Sequence, residues 1–245
     1  MRALIVSDVH GNLEALEAVL SDARRQGPVD EVWCLGDVVG YGPDPGACVD
    51  LLASLGAVAV AGNHDLAAVG VIGLEDFNPY AVEAARWAAE QLSEAQRAYL
   101  MGLPRIQERA PFTLVHGSLR DPVWDYFEPT SMSPRQMQEA FRMQKTPFCL
   151  VGQSHLPLVC VERGLRFGLL QEGELSLETK ARLVVNPGSV GQPRDGDPRA
   201  SYLLYEAEGK RLLHRRIEYD VAAVQSKMRR VGLPEPLAAR LGVGA

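Results

Sequence analysis

Ala3-Leu4-Ile5-Val6-Ser7-Asp8-Val9-His10-Gly11-Asn12 is a short, partly β-branched run that stops abruptly in a polar block. A helical pattern follows at once, with Leu13, Leu16, Val19 and Leu20 on one face. The same passage from apolar run to polar block recurs along the chain. It reads EVWCLGD at Glu31–Asp37, AVAVAGNHD at Ala57–Asp65 and FTLVHG at Phe112–Gly117, then FCLVGQSH at Phe148–His155 and RLVVNPGS at Arg182–Ser189. The first three runs are separated by helical stretches, the second from Cys48 to Leu55, and this βαβαβ rhythm predicts a parallel sheet.

Helices dominate the middle: Tyr80 to Leu92, a segment opened by the capping box Ser93–Gln96, and Ser133 to Gln144. Beyond Pro147 strands take over, at Phe148–Val151, Leu158–Val161, Arg182–Val185, Ser201–Tyr205 and Leu212–Ile217, before a helix from Asp220 to Val231. The fold class is α/β, two packed sheets with helices on their outer faces. Residues 1–245 read as one domain, with 231–245, rich in Gly and Pro, as a loose tail.

Composition narrows the function. A net charge of -6 and the lack of any basic run argue against general nucleic-acid binding. No apolar run reaches membrane-spanning length, and the N-terminal one is too short for a signal peptide. Cys34, Cys48, Cys149 and Cys160 are scattered and form no CxxC pair, which argues against disulfides and zinc thiolates. A cytoplasmic protein is expected.

In open α/β sheets ligands bind beyond the carboxyl ends of the strands. Of five His, four lie in the strand-end blocks (His10, His64, His116, His155); of four Asn, three do (Asn12, Asn63, Asn186). Two scarce residue types gathered at strand ends point to one site. Asp, His and Asn without Cys form an oxygen and nitrogen donor set suited to Mn, Fe, Zn or Co. Asp8 and His10, two residues apart at a strand end, can reach one ion. Two ions about 3.5–4 Å apart would clamp a phosphoryl group, and a shared carboxylate such as Asp37 would hold them at that spacing.

The ordered blocks D-x-H, G-D, G-N-H-D, H-G and G-x-x-H, from Asp8 to His155, resemble the calcineurin-like metallophosphoesterase family. The stretch Asn186–Arg194 is similar to a further block in its small bacterial and archaeal phosphodiesterases. The resemblance implies a four-layer αββα sandwich of two mixed β-sheets flanked by helices. It implies two divalent transition-metal ions, Mn favoured: Asp8, His10 and His155 on the first, Asp37 bridging, Asn63 and His116 on the second. It implies His64 as the general acid that protonates the leaving group, a small phosphate-ester or nucleotide substrate, and a homodimer. The reaction expected is phosphodiester hydrolysis, with nucleotidase or dinucleoside polyphosphate hydrolase as the alternative. A non-catalytic scaffold on the same fold should have lost the catalytic His, and this chain keeps His64.

Three positions depart from the resembled patterns. In the protein-phosphatase and dinucleoside-tetraphosphatase branches an acid that orients the catalytic His stands where this chain has Gly40, and a phosphate-binding Arg where it has Tyr41, which weakens those two substrate readings; Gln153 stands where the family usually has a His on the second metal. Gln153 is read either as a weak oxygen ligand or as a bystander. Asn12 and Asn63 are candidates for substrate contact, Asn12 equally for helix capping. Arg194 and Arg199 are both read as able to approach phosphate, with a solvated loop arginine the commoner case for each; Arg194 is carried as the substrate-binding candidate. Asn186–Ser189 is expected to combine a turn with a wall of the site, and Trp124–Phe127 to be a lid or a satellite core. His214, in a charged strand, is read as a surface residue.

Overall fold

The computed structural model describes all 245 residues. In chain order the elements are β1 (Arg2–Val6), α1 (Leu13–Arg25), β2 (Glu31–Cys34), α2 (Pro45–Ser54), β3 (Val58–Ala59), α3 (Asn63–Ala68), α4 (Pro79–Gln91), α5 (Glu94–Met101), β4 (Ile106–Arg109) and β5 (Phe112–Val115). They continue as α6 (Pro134–Met143), β6 (Phe148–Leu150), β7 (Pro157–Val161), β8 (Arg166–Leu169), β9 (Gly173–Ser176), β10 (Leu183–Pro187), β11 (Ala200–Glu206), β12 (Arg211–Ile217), α7 (Val221–Arg230) and α8 (Glu235–Arg240).

Two mixed six-stranded sheets result, ordered β3-β2-β1-β11-β12-β9 and β4-β5-β6-β10-β7-β8. The expected parallel pairs β1–β2 and β2–β3 form in the first sheet, and β5–β6 and β6–β10 in the second. Strand alternation builds the layers. On β1, Leu4 and Val6 face α1 and α2, with Leu16, Val19 and Leu52. Ala3 and Ile5 face the other sheet, packing with Trp33, Phe112, Leu114 and Val185. The outer face of the second sheet is covered by α6, through Met137 and Phe141. The segments after β1, β2, β5 and β6 therefore leave strands that are largely buried, which fixes their exit direction.

The structure corrects two expectations. Residues 231–245 are not a loose tail: α8 docks on α4 and α7, burying Leu233, Leu237, Ala238 and Leu241. Its apolar spacing is helical but too short to stand out from the Gly and Pro around it. His214 is buried, not on the surface, because β9 pairs with β12 and covers its edge. The Ser201 hydroxyl donates to the Pro187 carbonyl at 2.5 Å, so His214 Nε2, 2.8 Å away, must donate to Ser201 Oγ. Burial holds the His214 pKa low, in keeping with a neutral ring.

Leu237→Ala tests the docked C-terminus. Truncating a packed leucine costs about 2–5 kcal/mol, whereas a change on a loose tail stays within about 0.5 kcal/mol. Chemical denaturation of both proteins is expected to show the larger loss.

Candidate metal centre

Four strand ends deliver the centre. Asp8 and His10 follow β1, Asp37 follows β2, His116 follows β5, and Gln153 and His155 follow β6. Asn63 and His64 open α3. All are buried. The chain turns sharply to aim them: of eight non-glycine residues with positive φ, six are Asp8, His10, Asp37, Tyr41, Gln153 and His155. Such conformations cost about 1–3 kcal/mol each and persist only where the surroundings over-determine them. Here the bracing is backbone pairing between loops: the His10 amide donates to the Asp37 carbonyl at 2.9 Å and the Gly191 amide to the Asp8 carbonyl at 2.9 Å.

The imidazoles share one arrangement. His10 Nδ1 lies 3.0 Å from the Val39 carbonyl, His116 Nδ1 2.8 Å from that of Leu35, and His155 Nδ1 2.6 Å from that of Gln192. A carbonyl only accepts, so each Nδ1 carries the proton, and in the neutral ring each Nε2 is a bare lone pair turned inward. His10 Nε2 and His155 Nε2 are 3.2 Å apart. Asp8 Oδ1 is 3.4 Å from His155 Nε2 and 4.0 Å from His10 Nε2. Asp37 Oδ2 is placed between two groups, 3.6 Å from His10 Nε2 and 3.4 Å from His116 Nε2. Both Asp8 carboxylate oxygens and Asn63 Oδ1 are buried without a hydrogen-bond partner. Acceptors that converge without a donor, as the Asp8 oxygens, Asn63 Oδ1 and the bare Nε2 of His10 and His155 do, are what a cation site needs. Three overlapping groups meet that description: Asp8-His10-His155, His10-Asp37-His64 and Asp8-Asp37-His116.

Gln153 is aimed, not idle. Its amide nitrogen donates to the Val123 carbonyl at 3.2 Å, which turns Oε1 inward to 2.9 Å from His116 Nε2. Titration follows from burial and charge. Burial holds His10 and His155 well below their ordinary value, so both are neutral. Burial lifts Asp8 to about 6, with His116 opposing the rise and Asp37 adding to it. Burial works against charge on His116, but Asp37 outweighs it and holds the ring up at about 10. Burial likewise pushes Asp37 upward; His116 and His64 prevail and bring it below the usual value.

His64 sits beside this cluster in a cage of rings: Tyr41 at 4.4 Å, Phe77 at 4.9 Å and His10 at 4.9 Å between centroids. Its Nδ1 is buried without a partner. A Cβ on Gly40, whose φ is +86°, would lie 2.4 Å from that nitrogen. Gly40 therefore opens the space the ring fills. Gly62 is equally constrained, since a Cβ there would lie 2.0 Å from Asp37 Oδ1.

The remaining candidates divide. Asn12 caps α1, accepting from the Ala15 amide at 3.1 Å, and donates to the Gly191 carbonyl at 2.9 Å, so its side chain is committed to the fold. Arg194 lies over the Tyr41 ring at 5.8 Å and forms no salt bridge, whereas Arg199 is held by Asp197 and Glu172. Asn186 and Ser189 brace the walls, donating to the Gly152 carbonyl at 2.6 Å and the Asp8 carbonyl at 2.8 Å. Trp124–Phe127 splits: Phe127 joins a satellite core with Phe141, while Trp124 packs on Phe77 at 5.2 Å. Sequence reasoning passed over Asp65, whose carboxylate accepts from the Val39 amide at 3.1 Å and the Gly62 amide at 3.0 Å and so joins two site loops. Its place beside His64 was the available signal.

The calcineurin-like phosphoesterase superfamily domain model matches residues 1–210, ending before α7 and α8. An uncharacterized protein of Methanocaldococcus jannaschii is 36% identical over 245 residues, 98% of this chain and 97% of that protein. A symmetrical bis(5'-nucleosyl)-tetraphosphatase of Glaesserella parasuis is 32% identical over 130 residues, 51% of this chain and 47% of that enzyme. The chain thus matches about half the length of that tetraphosphatase. The crystal structure of a metallophosphoesterase from Sphaerobacter thermophilus superposes with a TM-score of 0.89 at 45% identity, covering 100% of this chain and 99% of that one.

Ion binding must displace protons, and the amount is specified. At about pH 7.5, His10 and His155 are already neutral, while His116, at about 10, carries a proton that a ligand cannot keep. Calorimetry with Mn in buffers of different ionisation enthalpy is expected to show about one proton released, on filling the Asp37–His116 side. Affinity there should rise with pH, by about tenfold per unit, until pH approaches about 10. Below about pH 6 a further proton should leave Asp8. Binding without proton release would contradict the His116–Asp37 pairing.

Proposed function

The chain belongs to the calcineurin-like phosphoesterase superfamily, and we propose on that premise that it hydrolyses a phosphodiester with two divalent transition-metal ions. The observation that carries this reading is the set of three imidazoles. Each is tied through Nδ1 to a backbone carbonyl, and their Nε2 atoms meet the carboxylates of Asp8, whose oxygens have no donor, and of Asp37. In this reading Asp8, His10 and His155 hold the first ion, Asp37 serves both, and Asn63, His116 and Gln153 complete the second. The second set offers one nitrogen and otherwise oxygens, which favours Mn over softer ions such as Zn. The ions, once bound, would polarise the phosphoryl group, activate water and stabilise the leaving oxygen.

The chain's own residues supply the rest. His64 Nε2, the nitrogen turned away from Gly40, gives a proton to the leaving oxygen. Burial holds the free His64 ring down at about 4 although Asp37 pulls the other way. A bound phosphate anion adds the negative charge that lets the ring carry a proton. Ring packing, rather than a carboxylate, keeps it oriented. Tyr41 brings no charge to the phosphate, and a diester, with less charge than a monoester dianion, needs less compensation. A dinucleoside polyphosphate hydrolase is the second reading, favoured by the 130-residue likeness to the tetraphosphatase. Four free, buried cysteines fit a reducing cytoplasm, and no helix is long and apolar enough to cross a membrane.

Hydrolysis of a chromogenic diester is expected to require added Mn and to stop with a chelator; full activity in metal-free protein would refute the reading. His64→Ala should lower kcat by about 10²–10⁴-fold with both ions retained. The loss should shrink for leaving groups of low pKa, which need no proton; an equal loss across leaving groups would argue against the acid role.

Gly40→Ala should fall toward the same low kcat. Its methyl must push the His64 ring out of the cage. Metal analysis of the purified variant is expected to match the parent, and unchanged kcat would show that ring position is unimportant.

A further inference from the structure

The chain continues past the stretch that matches the superfamily domain. α7 and α8 lie beyond residue 210, and no candidate metal ligand comes from them. They nevertheless reach the centre through one side chain. Tyr41 is buried in an apolar cluster with Val224 and Met228 of α7, Leu237 of α8 and Leu241 just after it. Phe77 packs against the same cluster. Val224, Met228 and Leu241 also line, with Tyr41 and His10, a gap of about 10 Å³. That is at the lower limit for a single water, roughly 10–15 Å³, so the helices leave the Tyr41 ring little room to turn.

Tyr41 needs that support. Its φ is +59°, and the Gly42 amide donates to the Gly40 carbonyl at 2.7 Å, closing a three-residue turn around it. A turn of that kind with positive φ is rare and strained, and it persists only where surrounding contacts hold it. α7 also ties the neighbouring segments together. Lys227 Nζ lies 2.9 Å from Asp44 Oδ2 and 2.7 Å from Glu14 Oε1, joining the loop after β2 to α1. Two imidazoles pack on Tyr41, His64 at 4.4 Å and His10 at 4.7 Å between centroids. They are not held alike. His10 has its own anchor, the Val39 carbonyl 3.0 Å from Nδ1, whereas His64 Nδ1 has no partner. A shift of the Tyr41 ring therefore releases His64 before it disturbs His10.

We propose that α7 and α8 belong to the catalytic centre: Met228 and Leu241 position Tyr41, and Tyr41 positions the His64 ring. All three are positioning residues, and none of them is asked to touch substrate or metal. With no polar partner at His64 Nδ1, a packed helix pair supplies the restraint. The C-terminal segment thereby contributes to proton transfer as well as to stability. The consequence for the leaving group rests on the reading of His64 as its acid; the packing relation between the helices and the ring does not.

The test uses the full-length protein and two diesters that differ only in the leaving group, methyl phenyl phosphate and methyl p-nitrophenyl phosphate. Phenol needs a proton on departure far more than p-nitrophenol does. Met228→Ala is expected to lower kcat for the phenyl ester by about tenfold, within the roughly 10²-fold that a 1 Å misplacement can cost. The p-nitrophenyl rate, KM for both esters and bound Mn should stay near those of the parent. Met228→Leu, which refills the space, should restore the phenyl rate. Met137→Ala, in the separate cluster under α6, controls for stability and should leave the ratio of the two kcat values unchanged. The second readout is the His64 ring proton resonance, assigned by its loss in His64→Ala and recorded with diamagnetic Zn. Tyr41 is close enough to shift it by ring current, so Met228→Ala should move it and Met137→Ala should not. Leu241→Val, a milder change, should show both effects more weakly, and it replaces Met228→Ala if that variant does not fold. An unmoved resonance, or an equal movement in Met137→Ala, overturns the positioning. A moved resonance with an unchanged ratio, when His64→Ala does discriminate between the esters, overturns the part in proton transfer. If His64→Ala slows both esters equally, the acid reading fails, and a resonance moved by Met228→Ala alone still supports the packing relation.

Discussion

Two imidazole nitrogens, His10 Nε2 and His155 Nε2, face each other across 3.2 Å with their protons held on the far side of each ring. Lone pairs at that distance repel. The carboxylates beside them, Asp8 and Asp37, add negative charge and no donor. The scaffold holds these four groups together against their mutual repulsion. Much of the molecule can be understood as supplying that restraint. Strands buried on both faces fix where each loop departs, and loop-to-loop backbone hydrogen bonds hold the left-handed turns. Three carbonyls, of Leu35, Val39 and Gln192, set the imidazole tautomers. Leu35 and Val39 lie on the loop after β2 and Gln192 on the loop after β10, so moving either loop would turn a ring away.

Legibility in the sequence followed burial. β1, β2, β5, β6 and β10 are apolar because both faces are covered, and each was visible as a run ending in polar residues. The three strands without such a signal, β4, β8 and β9, are sheet edges and largely exposed, so no core selects their residues. Missing β9 is also what made His214 look like a surface residue, since β9 turns β12 from an edge into an interior strand. The candidate ligands were legible for a chemical reason: His and Asn are scarce in this chain and gathered at strand ends. Their orientation was not, because it is set by backbone carbonyls, which no side-chain pattern encodes. The docked C-terminus was invisible for a third reason: where its short helix packs is decided by four apolar residues in a Gly- and Pro-rich segment.

The departures from the family pattern make sense together rather than singly. A side chain at position 40 is sterically incompatible with the present place of the His64 ring, so loss of the acid and the ring position are one feature. With Gly40 beneath it, His64 has no polar partner at Nδ1 and relies on aromatic neighbours. Tyr41 is the nearest of them, and an arginine there would not provide the same apolar wall. Replacing that arginine leaves position 41 without charge, yet the region is not without cations: Arg194 lies across the same tyrosine ring, reached from the loop after β10. Positive charge is thus carried on a different loop. Gln153 follows the same logic of substitution with support, because its amide nitrogen is tied to Val123 and its oxygen has only one direction left, toward His116. The exchange of an imidazole for an amide weakens one donor, while the anchoring bond keeps that donor in place.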